Sequence, residues 1–180
     1  NTEIGYEKWN GYDGVKLVYF MNAYDNLLGA DTAAAGAGTD ALYNGGAIDI
    51  SGFEVYHRRL LVDNGSLQIP LELSWTRTSS EFAESFDSDF WGDVTKGDEL
   101  PYLPENMFAV NLGLNVDKVS ANLSLKHTSE MRTTAGSGSL VSGLKTDATS
   151  IIDVGVKYDL QSNIKLSVGV NNLMDDNGIV

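Results

Sequence analysis

Apolar residues recur at every second position through four consecutive stretches in the latter half of the chain. Phe108, Val110, Leu112, Leu114 and Val116 alternate with Ala109, Asn111, Gly113 and Asn115. Val119, Ala121, Leu123 and Leu125 alternate with Ser120, Asn122, Ser124 and Lys126. The pattern returns in Ile152, Val154, Val156, Tyr158 and Leu160, and again in Ile164, Leu166, Val168 and Val170. Side chains alternate faces along a strand, so each stretch makes a ribbon with one apolar and one polar side. The polar side is rich in Gly, Asn, Ser and Lys, which suits a water-filled lumen better than a packed core. The reading is therefore an all-β, antiparallel, up-and-down transmembrane β-barrel wall.

Eight extended segments follow along the chain: 2–9, 14–28, 47–62, 66–84, 106–117, 119–134, 147–160 and 163–174. Short, turn-prone links at Asn10-Gly11-Tyr12-Asp13, Asp63-Asn64-Gly65, Asp117-Lys118 and Gln161-Ser162-Asn163 close hairpins. They alternate with long links at 29–46, 85–105 and 135–146. Short turns at one rim and long loops at the other are the arrangement of an outer-membrane barrel. The stretch 31–46 is of low complexity and reads as mobile. Two segments break the pattern. Ile48 and Ile50 are out of phase with Phe53 and Val55, and a bulge near Ser51-Gly52 would reconcile them. Pro70 interrupts the alternation of Leu67, Ile69, Leu71, Leu73 and Trp75, and a proline cannot donate to a ladder.

Composition narrows the function classes. The 180 residues are 42% hydrophobic and 21% charged, which fits an ordered chain. The formal net charge of −13 argues against nucleic acid, whose phosphates require clustered Lys and Arg. There is no cysteine, so disulfides and thiolate metal sites are excluded. No apolar run approaches the ~20 residues of a spanning helix, but a barrel strand needs only ~9–11.

Candidate chemistry is sparse, and nothing marks an enzyme. His57 and His127 lack ligand-spaced partners and read as wall or rim residues. There is no nucleophile elbow, phosphate-binding loop or zinc signature. The acidic cluster Asp87, Asp89, Asp93, Asp98 and Glu99 lacks regular calcium-loop spacing and reads as a solvated loop. No cofactor and no metal site are expected. In that same loop Phe86, Phe90, Trp91 and Tyr102 either stack on a ligand or fold the loop onto itself. Tyr6, Tyr19, Trp75 and Tyr158 suit an interfacial aromatic girdle. Lys126, Glu130 and Arg132 share the polar parity of segment 119–134, where they contact an anionic cargo or pair with neighbouring carboxylates.

Four motifs in order carry a family resemblance. Tyr19-Phe20-Met21-Asn22-Ala23-Tyr24-Asp25-Asn26-Leu27 resembles a strand common in TonB-dependent outer-membrane receptors. Gly97-Asp98-Glu99-Leu100-Pro101-Tyr102-Leu103-Pro104-Glu105-Asn106 is similar to a link in the ferric-dicitrate branch, where the last position is often His rather than Asn. Glu130-Met131-Arg132-Thr133-Thr134-Ala135-Gly136 resembles another stretch of that branch. Val168-Gly169-Val170-Asn171-Asn172-Leu173-Met174-Asp175-Asp176 is similar to the near-terminal motif of the whole family.

The resemblance implies an outer-membrane transporter of a ferric chelate in a Gram-negative bacterium, a barrel of about 22 strands filled by a plug that TonB displaces. It also implies iron only as part of the cargo. The chain carries neither plug nor TonB box, and Gly178-Ile179-Val180 precedes the expected closing strand, so residues 1–180 read as a partial barrel domain. Such a section exposes two strand edges and an apolar face, which predicts either self-association through Leu112, Leu123, Val154 and Leu166 or closure of the eight strands into a narrower barrel. Two other classes fit less well: a small structural or adhesive outer-membrane barrel, and a secreted β-sandwich carbohydrate-binding module with Trp91 and Tyr102 as platforms.

Overall fold

The computed structural model describes residues 1–25, 28–31, 41–44, 46–88 and 91–177. Strands in chain order are β1 (Thr2–Asn10), β2 (Asp13–Tyr24), β3 (Leu28–Asp31), β4 (Ala41–Asn44), β5 (Ile48–Asp63) and β6 (Leu67–Phe82). They continue with β7 (Phe86–Ser88), β8 (Gly92–Val94), β9 (Asn106–Val116), β10 (Val119–Thr128), β11 (Thr149–Gln161) and β12 (Ile164–Val170). The eight long strands form one antiparallel sheet in the order β1-β2-β5-β6-β9-β10-β11-β12, each beside its predecessor in the wall. No second large sheet faces it among the described residues, so the two-sheet sandwich is not formed. The sheet is open, with β1 and β12 as its edges and every residue of both strands exposed.

Register sorts the side chains onto two faces. Leu71, Leu112, Leu123, Val154 and Val170 form one continuous row across five strands. A parallel row joins Tyr6, Leu17, Val55, Trp75, Phe108 and His127. These rows lie on the outward face. From Phe108 to Val116 the apolar band runs about 26 Å along the strand, at ~3.3 Å per residue. Tyr158 lies outward at the short-turn end, so aromatic residues border the band at both ends, as an interfacial girdle requires. The opposite face carries Glu54, Glu72, Asn111, Ser124 and Asp153.

The anticipated bulge at Ser51-Gly52 does not form. β2, β5 and β6 keep an unbroken register through Phe53, and the phase change is real. Ile48 and Ile50 point inward, whereas Phe53 and Val55 point outward. Glycine is needed at position 52 for another reason: a Cβ there would collide with the backbone carbonyl O of Arg77 and lie 2.6 Å from Cζ of Phe20. Above Phe53 the outward positions of β5 and β6 become Ser51, Ser79, Asp49 and Glu81, and the apolar side chains turn inward. There Ile48 and Phe82 are fully buried with Val94, and Ile50, Phe86, Trp91, Leu100 and Ala135 pack around them. The core thus lies at the long-loop rim, made by loop 83–105 folding onto the inner face of β5 and β6.

The bulge lies instead between Leu60 and Val62, opposite Pro70. Pairing of β6 with β9 jumps from Gln68–Asn115 to Leu71–Leu112, so the missing proline N–H falls in a gap in the ladder. Gly113 lies across from the ring, and a Cβ there would meet Pro70 Cγ at 2.7 Å. Bulge, gap and glycine together place a proline inside a central strand.

Several boundaries move. β2 stops at Tyr24 rather than 28, and β10 at Thr128 rather than 134, so Glu130 and Arg132 belong to a loop and not to the wall. β12 ends at Val170, because Asn172 takes a left-handed φ of 51° and begins a turn over β11. Asn172 N–H donates to Asp153 and Ser150 N–H donates to Asp176, which fixes the near-terminal motif on the sheet. Link 29–46 contributes the ribbon β3–β4, and loop 83–105 the ribbon β7–β8. Residues 32–40 of the low-complexity stretch, Asn26-Leu27 of the first motif, Asp89, Phe90 and Gly178-Ile179-Val180 lie outside the described residues.

Candidate functional site

Loops 83–105 and 129–148 meet above the inner face. The backbone joins them through Glu99 N–H to Gly136 O at 2.8 Å and Tyr102 N–H to Arg132 O at 2.9 Å. Loop 129–148 doubles back on itself, with Thr146 N–H donating to Met131 O. Arg132, only 9% exposed, is the central tie. Its Nε donates to Glu99 Oε2 at 2.8 Å and its Nη2 to Gly138 O at 2.8 Å. Desolvating a guanidinium is costly unless its donors are met, and these bonds meet two of the five.

Between the loops lies a cavity of about 540 Å³, lined by Glu99, Glu105, Ser129, Glu130, Arg132 and Ser139 among others. Each of its three carboxylates has a cation: Glu99 has Arg132, Glu130 has Lys145, and Glu105 has Arg77 at 2.5 Å. The cavity is thus polar and nearly charge-balanced despite the acidic chain.

The sequence-selected residues fall in different places. Arg132 and Glu130 line the cavity. Lys126 stands exposed on the inner face of β10, in register with Ala109 and Ile151. Trp91 packs edge-on against Phe82 at 6.2 Å and belongs to the rim core. Tyr102 is 55% exposed and holds a left-handed φ of 58°, which presents its ring outside the loop body. Asp87 and Asp93 face each other in the β7–β8 ribbon, and Asp98 accepts from Thr95 N–H. No group of three or more metal-type ligands exists among the described residues.

Both histidines are wall residues. His57 Nδ1 lies 2.9 Å from Gly14 O. His127 stacks on Phe108 with ring centroids 4.8 Å apart and pairs with Ser150 Oγ.

A second cluster, missed in the sequence, lies inward at the short-turn end. The Arg58 guanidinium sits 4.8 Å from the Trp9 ring and 5.0 Å from the Tyr12 ring. Tyr12 donates its hydroxyl to Glu72 Oε1 at 3.1 Å. Burial, and then the hydrogen bond to the Glu72 carboxylate, raise the Tyr12 phenol above its ordinary value. This cluster is a charged-aromatic patch on the inner face of the sheet.

Comparison with known proteins agrees with this geometry. The family model described as TonB dependent receptor-like, beta-barrel matches residues 1–173. Two solved structures are similar. One is a mutant ferric enterobactin receptor from Pseudomonas aeruginosa, 22% identical over 96% of this chain with a TM-score of 0.62. The other is a further mutant of the ferric enterobactin receptor from that organism in complex with enterobactin, 21% identical over 96% of this chain with a TM-score of 0.63. The chain spans about a quarter of each, 25% of that length. No curated protein matches.

Proposed function

Because the chain belongs to the TonB dependent receptor-like β-barrel family, a family of outer-membrane transport proteins and not of enzymes, we propose that it forms part of the wall of a transporter for a ferric chelate of the siderophore type. The observation that carries this reading is the family match through residue 173 on a single eight-stranded meander with a continuous apolar outward face. In that reading the lumen is filled by a plug domain, TonB acts through the plug, and outer-membrane lipid covers the outward face. The plug and the closing strand belong to the rest of a full-length receptor, and residues 1–180 are a partial barrel domain. Taken alone, this section associates through its open edges and apolar face.

The loop cavity with Glu99, Glu130 and Arg132 is the candidate first contact for cargo, with Tyr102 at its margin and Lys126 below on the lumen wall. Trp91 supports the cavity from the rim core. The motif around Glu130-Met131-Arg132 favours ferric dicitrate, whereas the two solved relatives are ferric enterobactin receptors and support the fold. Radioactive iron uptake by cells whose only receptor is the full-length protein tests the reading. TonB-dependent uptake of one chelate supports it and names the cargo. Equal uptake with and without TonB overturns it.

A further inference from the structure

The cavity between loops 83–105 and 129–148 is balanced in charge but not in what it presents. In the Arg132–Glu99 pair the arginine side chain is 10% exposed and the glutamate 48%. In the Lys145–Glu130 pair the lysine is 28% exposed and the glutamate 41%. Both cations therefore stand behind their carboxylates. Glu105 lines the cavity as well, while its partner Arg77 belongs to the outward face of β6. Among the described lining residues Arg132 is the one cation, and its Nε and Nη2 are already engaged by Glu99 and Gly138.

Neighbouring groups extend the same bias. A recess of about 130 Å³ shares Glu99 and Glu105 with the cavity and adds Thr78, Ser79 and Ser80, with no Lys or Arg among its described lining. Ser129 and Ser139 supply further hydroxyls in the larger space. Tyr102 stands exposed beside Leu103 of the lining, and an aromatic face attracts a cation. Beneath, the inner faces of β1, β2, β5 and β6 carry Glu3, Glu7, Glu54 and Glu72 against Lys16 and Arg58. Lys126 lies lower than the loops, within β10. An anion arriving over these loops thus meets carboxylates first.

We infer that the cargo is a ferric chelate with no negative charge at its exposed end, of the hydroxamate kind with a pendant protonated amine. The inference rests on the transport reading above and narrows it. A hydroxamate carries a single negative charge, so three of them cancel ferric iron and an added ammonium leaves the complex cationic. Catecholates carry two each, which makes a triscatecholate complex strongly anionic, and ferric dicitrate is anionic as well. An ammonium donates to Glu99 or Glu130 in charge-assisted hydrogen bonds. A surplus carboxylate or catecholate is met there by like charge, which rejects it. The motif around Glu130 resembles the dicitrate branch, yet the exposed partner of each pair has the wrong sign for dicitrate.

The test uses the full-length receptor in mild detergent and one linear trihydroxamate iron chelate in three forms, its amine free, acetylated or succinylated. The iron centre is the same in all three, so only the terminal charge changes. Ferric dicitrate and a ferric triscatecholate serve as anionic probes. Quenching of tryptophan fluorescence reads binding, and TonB-dependent uptake of radioactive iron is followed in cells. The free amine should bind at least about tenfold more tightly than the succinylated form, with the acetylated form between them. Added salt should narrow that gap, weakening the amine form and strengthening the succinylated one. Glu130→Gln, which releases Lys145, should narrow it too, in samples whose heat-modifiable migration matches wild type. The salt series on the wild-type protein stands even if that variant does not fold. Anionic probes binding as tightly as the amine form, or a gap unmoved by salt, overturn the inference. TonB-dependent uptake of an anionic chelate in preference to the amine form also overturns it, but leaves the transport reading intact. A folded receptor that binds and imports none of the probes sinks the transport reading, and this inference falls with it.

Discussion

Arg132 and Glu99, 33 residues apart in sequence, are joined by a 2.8 Å ion pair that ties the two described long loops into one unit. The arginine is nearly buried and the glutamate half exposed, so removal of the two partners has unequal effects. Arg132→Ala leaves Glu99 with access to water but deletes the bonds to Glu99 and Gly138. The expected cost is about 1–3 kcal/mol of local stability. Hydrogen exchange at the Glu99 and Tyr102 amides reads it directly, and both should speed up. Glu99→Ala, which strands the buried cation, should accelerate them more.

Pro70 and Gly113 set a second expectation. A valine at position 113 drives its side chain into the proline ring and should cost about 1–3 kcal/mol, as overpacking does. The temperature at which the full-length barrel loses its compact gel migration would fall. Combining Gly113→Val with Pro70→Ala should recover part of the loss, whereas an unrelated cavity elsewhere would not.

The two faces should respond oppositely to charge. Leu112 lies in the middle of the outward band, in register with Leu71 and Leu123, while its neighbour Asn111 faces inward beside Glu72 and Ser124. Leu112→Arg should cost roughly 2–4 kcal/mol of barrel stability, the range for a cation at the bilayer midplane. Asn111→Arg should be nearly neutral. Urea titrations of the refolded full-length barrel in lipid vesicles separate the two.

Alkaline titration probes the lumen patch. The Tyr12 phenol is raised above its unfolded value by burial and by Glu72, so the protonated form is the one the fold favours. Its contribution is fully present below the unfolded value near 10 and is lost as pH rises through the higher folded value. Tyrosinate absorbance, taken as the difference between wild type and Tyr12→Phe, should therefore show a midpoint above 10. Glu72→Gln should move that midpoint downward.

The wall was legible from β9 to β12 because a two-residue period is a local property, and register fixes which face is buried. Elsewhere the sequence misled for traceable reasons. Counting back from the Asp63-Asn64-Gly65 turn pairs Glu72 with Arg59. The bulge between Leu60 and Val62 shifts the register by one and gives Glu72 to Arg58 instead, on the opposite face. The Arg58 cluster with Trp9 and Tyr12 was therefore hidden. The cavity was half visible: Arg132 and Glu130 stood out as charges, but Glu99, Glu105 and Lys145 reach them through loop closure, which no periodicity encodes. Trp91 looked like an exposed platform because nothing local announces that Ile48 and Phe82 turn inward to receive it.

That inward turn also fixes the depth at which the wall sits. Ser51, Ser79, Asp49 and Glu81 stand directly above Phe53 and Trp75, on the side that faces hydrocarbon lower down. Sinking the sheet by four residues immerses two carboxylates in oil, and lifting it by two exposes the aromatic row to water. Both displacements are opposed, so the surrounding bilayer must thin or thicken to meet the protein rather than the reverse. A single change of phase within β5 and β6 thus acts as a waterline, marking along the chain where the membrane ends.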